Sequence, residues 1–139
     1  MIDQPPDHAL FGGKQLAVVG EPMSAITFDS NVVIYAGSHR EHEFRIGNSF
    51  TIENPALGRV LVRYDPYDKT GPVREHLTEL SAIIPSTVIG ARAYVDGHLE
   101  LTFDEGSIIT VLPRNDYEAW VYTFGNFILA CPPGGFATR

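Results

Sequence analysis

The sequence predicts an α+β domain that is predominantly antiparallel β, a sandwich or open barrel made from two similar β units joined by one helix. Three observations predict it. Apolar and polar residues alternate between closely spaced turn signals from Gln15 to Cys131. One stretch alone, Pro72–Ile84, carries apolar residues at helical spacing. A short block near the start recurs 75 positions later, with further matches following it in order. The chain has 139 residues, 44% of them hydrophobic and 19% charged, which is enough apolar material for one domain (1–139) with a modest core and too much for a disordered chain.

The alternation gives about ten short strands. They fall near Gln15–Val19, Met23–Phe28, Val32–Ala36, Glu43–Ile46, Ser49–Ile52, Val88–Val95, His98–Phe103, Ser107–Val111, Glu118–Thr123 and Phe127–Ala130. Asp29-Ser30-Asn31, Asp96-Gly97 and Glu105-Gly106 separate them, and Asp96-Gly97, between two apolar runs, is the strongest hairpin signal. In Pro72–Ile84, Val73, Leu77, Leu80 and Ile84 recur at spacings of four, three and four, so one stripe is apolar; Pro72 suits the first turn and Pro85 ends the helix. The preceding segment from Arg63 to Gly71, with its acids, proline and glycine, reads as an exposed loop.

Ile26-Thr27-Phe28-Asp29 matches Leu101-Thr102-Phe103-Asp104, and Glu43 matches Glu118 at the same offset. After three inserted residues, Gly47-Asn48 matches Gly125-Asn126 and Pro55 matches Pro133. The expectation is therefore a duplicated β unit, about 16–55 and 88–133, with the linker helix at 72–84 outside both.

Charge and cysteine content narrow the function classes. Lys and Arg total 10 against 17 Asp and Glu, a formal charge of −7, which argues against a protein that binds nucleic acid through its phosphates and points instead to a basic partner. One cysteine, Cys131, forms no internal disulfide and no thiolate zinc site, which fits a reducing compartment. The start MIDQPPDHALFGG lacks the apolar core of a signal peptide, and no stretch is long enough to span a membrane as a helix. A cytoplasmic location, no membrane and no cofactor are the expectations.

The second unit runs Gly97-His98-Leu99-Glu100-Leu101-Thr102-Phe103-Asp104-Glu105-Gly106-Ser107, then Tyr117-Glu118-Ala119-Trp120, then Pro133-Gly134-Gly135. These blocks resemble an uncharacterised family of small bacterial proteins, over most of the chain. The resemblance implies fold and size and supplies no catalytic residues. By analogy, such small acidic domains look like immunity proteins that accompany secreted toxins.

The side chains that could carry chemistry are few. His39-Arg40-Glu41-His42-Glu43 offers zinc-type ligands, but an extended run places His42 on the face opposite His39, Glu41 and Glu43, so a charged hairpin edge is the better reading. Asp65 and Asp68 lack the order of a calcium loop, and no metal is expected. Tyr64, Asp65, Tyr67 and Asp68 read instead as a contact loop. No nucleophile elbow is present, and Cys131 at the end of an apolar strand reads as a buried thiol. Trp120 reads as the core anchor, with Glu118 on the same strand face.

From Asp96 to Glu118 six acids stand against one base, Arg114, so this segment holds most of the net charge. Asp104, Glu105, Asp116 and Glu118 are expected to form an acidic rim at one end of the second unit and to steer a basic protein partner. The function expected is therefore a non-catalytic, immunity-like antagonist that binds and neutralises a toxin. The alternative is a small-ligand-binding β domain with a pocket between the units, lined by Trp120, Tyr122 and Phe124.

Overall fold

A computed structural model describes residues 14–28, 31–56, 58–63, 77–116 and 118–136. The described residues form eleven strands and one short helix: β1 (Lys14–Gln15), β2 (Met23–Phe28), β3 (Val32–Ala36), β4 (His42–Ile46), β5 (Phe50–Asn54), β6 (Gly58–Val62), α1 (Leu77–Ser81), β7 (Val88–Ala93), β8 (Leu99–Phe103), β9 (Ile108–Val111), β10 (Trp120–Phe124) and β11 (Phe127–Ala130). All strand pairs are antiparallel. They make two sheets, ordered β1-β7-β8-β9-β5-β6 and β11-β10-β4-β3-β2.

Each sheet combines a three-strand meander from one half of the chain with a hairpin from the other. After the meander β2-β3-β4 the chain crosses over and lays β5-β6 against β9; after β7-β8-β9 it crosses back and lays β10-β11 against β4. Strand order therefore pairs β2 with β7 and β5 with β10. The match 75 positions apart pairs β2, an edge strand, with β8, an interior one, so its register differs from the topological one.

The two sheets enclose one apolar core in a sandwich-like arrangement. Period-two alternation sends Phe50, Ile52, Leu99, Leu101, Phe103, Ile109 and Val111 inward from the six-stranded sheet and Ile34, Phe44, Ile46, Trp120 and Tyr122 inward from the other. Burying each such large side chain contributes about 1.5–3 kcal/mol, and these clustered side chains provide the main drive to fold. The sheets also approach at one corner, where Pro22 bridges Thr87 and Met23 N–H donates to Ser86 C=O at 2.8 Å.

The α+β description gives the helix too much weight. Among the described residues it has five residues, Leu77–Ser81; positions 72–76 lie outside them. Beyond Ser81 the chain tightens, with Ile83 N–H bonding Leu80 C=O and Ile84 N–H bonding Ser81 C=O. Side chains three apart eclipse in such a tight turn, so Ile83 follows Leu80 into the core while Ile84, the expected member of the stripe, faces out. The strand expected at Gln15–Val19 stops at Gln15, because residues 17–20 turn at Gly20. Strand β6 has no counterpart in the alternation pattern. Among the described residues no helix is long and apolar enough to cross a membrane.

Candidate functional site

The acidic residues singled out by sequence do not form one rim. Asp104 and Glu105 occupy the β8–β9 turn, whereas Asp116 and Glu118 lie in the β9–β10 connection, at the other end of β9. Four residues of β9 rise about 13 Å, which separates the two sets. Three of these carboxylates are engaged by neighbouring groups. Asp104 accepts from Thr87 N–H at 2.9 Å; Glu105 accepts from Ser107 N–H at 2.7 Å and from the Asn54 amide at 2.9 Å. Asp116 makes a two-pronged pair with Arg114 at 2.7 and 2.5 Å, and Arg114 also donates to Gly47 C=O. Glu118 is exposed. Tyr64, Asp65, Tyr67 and Asp68 lie outside the described residues.

The His39–Glu43 run divides as its parity requires. His39 and Glu41 are exposed in the β3–β4 turn, where Glu41 accepts from His39 N–H at 2.8 Å. Its own N–H and that of His39 hold the Glu41 carboxyl below the usual range. His42 points inward and is 3% exposed. Among the described residues no group of three or more His, Cys, Asp or Glu could hold a metal ion.

What the fold does assemble lies at the β10–β11 end of the five-stranded sheet. Residues His42 and Phe124 pair across β4 and β10, as do Phe44 and Tyr122, and all four side chains share the inner face. The imidazole Nδ1 of His42 lies 2.7 Å from the Tyr122 hydroxyl; Phe124 stacks on His42 at 4.1 Å, Phe44 on Tyr122 at 4.6 Å, and Phe127 meets Tyr122 edge-on at 6.0 Å. Burial lowers the His42 pKa, opposed by Glu21 and Glu41, and pushes Tyr122 up to about 12, helped by Glu21. Both partners are therefore neutral at neutral pH, and the bond joins two strands and backs two aromatic rings.

Beyond those rings the surface is apolar. The two-residue turn Gly125-Asn126, with Gly125 at φ 59°, fits the type II′ geometry that closes a hairpin; beside it Phe124 (39% exposed) and Phe127 (42%) lie on the inner face of the sheet and Ile128 (66%) on the outer face. Phe124 and Phe127 form one wall of an open pocket of about 330 Å³; Gln15, Leu16 and Ala17, from the edge of the six-stranded sheet, form the other. Strand β11 is the edge of its sheet. Since Cys131 N–H bonds Trp120 C=O and alternate residues face β10, the peptide groups of Ile128 and Ala130 point away from it. Of the three side chains expected to line a pocket, Phe124 does so, Tyr122 lies behind it, and Trp120 belongs elsewhere.

Trp120 belongs to a second, structural cluster. Its Nε1–H donates to Gly97 C=O at 2.8 Å, and the Cys131 thiol approaches the same oxygen at 3.2 Å. Gly97 sits at φ 101°, and a Cβ there would come within 2.7 Å of Gly135 Cα and 2.9 Å of Pro113 Cβ. Burial raises the Cys131 thiol to about 11, so it is a neutral packing group at neutral pH. The three sequence blocks containing Gly97, Trp120 and Gly135 thus meet at one turn.

Residues 14–138 match the model of a family described as a family of unknown function (DUF6188). The chain belongs to this family. No curated protein and no solved structure matches it. The match runs from β1 past β11, so the hairpin, its pocket and the Gly97 turn all lie within the DUF6188 domain.

Proposed function

We propose that this DUF6188 domain is a non-catalytic interaction protein that docks a protein partner on the β10–β11 end of its five-stranded sheet. The observation that carries the reading is an edge hairpin with exposed apolar side chains on both faces, Phe124 and Phe127 on one and Ile128 on the other. Folded proteins commonly guard edges with charge, proline or bulges. Strand β6, the far edge of the six-stranded sheet, carries Arg59 and is flanked by Arg63, and edge strand β2 has a register shift between Met23 and Ala25. From Gly125 to Cys131 there is no charge and no proline, and the β10–β11 register is regular. Such an edge suits a surface that is covered in a complex.

The narrower form of the proposal is an immunity-like antagonist that neutralises a basic toxin domain in the cytoplasm. The formal charge of −7 supports it, because long-range attraction speeds encounter with a basic protein before apolar contacts lock the complex. A second reading, a small-ligand-binding β domain, is favoured by the pocket between the sheets. To test the first, tagged wild type and the Ile128→Lys variant are used to recover partners from cells carrying the gene, and each recovered protein is purified and titrated. A partner that binds wild type and loses at least tenfold in affinity to the variant is expected, and growth in its presence reads neutralisation. A purified partner indifferent to Ile128→Lys contradicts the docking surface.

A further inference from the structure

Ile128 and Ala130 each aim an N–H and a C=O away from β10, and none of the described residues bonds these groups. Such groups, repeated at every second residue of an edge strand, are matched by the backbone of another extended segment. We propose that this segment is β11 of a second copy of this chain, paired antiparallel across a two-fold axis when no partner is bound. The inference goes beyond the partner-docking reading and stands on its own observations.

Charge and regularity separate this edge from the others. Self-pairing of β6 would bring two copies of Arg59 onto one five-residue ladder, and the register shift between Met23 and Ala25 interrupts β2. Strand β1 has two residues, too few for a ladder of its own. From Gly125 to Cys131 there is neither charge nor proline, so two chains of formal charge −7 can meet here with no like charges opposed. A two-fold axis at Leu129 sets Ile128 opposite Ala130 of the second copy, and Ala130 opposite its Ile128; two such pairs, each exchanging two backbone bonds, give four. On the outer face the large, exposed Ile128 then lies beside the small Ala130 of the second copy. On the inner face Leu129, which packs on the core, meets its own counterpart and makes the two cores continuous. Pro132 has no N–H to donate, so the ladder ends there. Four strand residues span about 13 Å, too short to bury the roughly 1,200 Å² of a stable complex, so the pair is reversible and a partner can displace it.

Sedimentation equilibrium of the full chain from about 10 µM to about 1 mM, the range of weak complexes, is expected to show monomer and dimer in exchange. Raised salt should tighten the dimer by screening the −7 on each copy, whereas salt weakens docking of a basic partner. In a mixture of ¹³C,¹⁵N-labelled and unlabelled chains, nuclear Overhauser contacts between copies should join the Ile128 methyls to the Ala130 methyl. Ala130→Pro removes one outward N–H per copy, two of the four bonds, and leaves the bonds to β10, so it should weaken the dimer about tenfold or more. Leu61→Lys, on the remote edge strand β6, should leave it unchanged. If Ala130→Pro fails to fold, the contacts between wild-type copies decide the matter. A chain that stays monomeric throughout, contacts between copies at other residues, or a dimer equally strong in folded Ala130→Pro overturns the self-pairing. The docking surface then still stands if a purified partner discriminates Ile128→Lys.

Discussion

His42 and Tyr122, 80 residues apart in the chain, share a 2.7 Å hydrogen bond inside the core. The bond crosses from β4 to β10 and so ties the meander of the first half to the hairpin of the second. Breaking one partner strands the other. Tyr122→Phe should cost about 1–3 kcal/mol, the penalty for a buried polar group left unpaired. Adding His42→Phe should recover part of that loss, and urea unfolding of the two single variants and the double variant gives the coupling directly.

The same pair makes stability depend on pH in two windows. The folded His42 pKa is lowered by burial, so the unfolded chain takes up the proton first, and its contribution to stability is lost as pH falls below about 6.5 toward the folded pKa. The folded Tyr122 pKa is raised to about 12, so its contribution is present below pH about 10 and is lost as pH rises through about 12. His42→Phe should flatten the acid limb and Tyr122→Phe the alkaline one, as read from urea midpoints across pH.

Gly97 and Gly134 separate packing from backbone strain. Both have positive φ, 101° and 77°, but a Cβ on Gly97 would meet Gly135, Pro113 and Cys131, whereas one on Gly134 has nothing within 4 Å. Gly134→Ala should cost about 1–2 kcal/mol from conformation alone. Gly97→Ala should add an overpacking penalty of about 1–3 kcal/mol and shift the Trp120 fluorescence, because its indole donates to the Gly97 carbonyl.

The acids are expected to act as two separate sets. If electrostatic steering contributes to docking, changing Asp104 and Glu105 to amides, or Asp116 and Glu118, should slow association with a purified basic partner at low salt and matter less at high salt. The set nearer the docked partner should give the larger effect. Stopped-flow association rates across ionic strength measure it, and equal rates for wild type and both double variants would leave the acids with their turns.

Most of the fold was legible because alternation reports which face of a strand is buried, and the ends of β2, β3 and β11 fall where the pattern places them. Strand β6 was not legible. It is an edge strand in which the exposed Leu61 stands between Val60 and Val62, which turn toward the core, so the unbroken apolar run Val60-Leu61-Val62 hides the alternation. The helix phase failed at Ile83 because a tight turn replaced the α-helical one. The acidic rim failed for a different reason: neighbours in sequence were treated as neighbours in space, and β9 carries the chain across the sheet between Glu105 and Asp116. Strand parity correctly put Tyr122 and Phe124 on one face. It could not show His42 arriving opposite Phe124, since that register comes from pairing across the two halves.

Hydrogen exchange of the domain alone and bound to its purified partner tests the docking surface most directly. Slowed exchange at Ile128 and Ala130, whose peptide groups face away from β10, together with protection across the 124–130 hairpin, is the predicted result. Unchanged exchange over 124–130, with protection elsewhere on the domain, would contradict it.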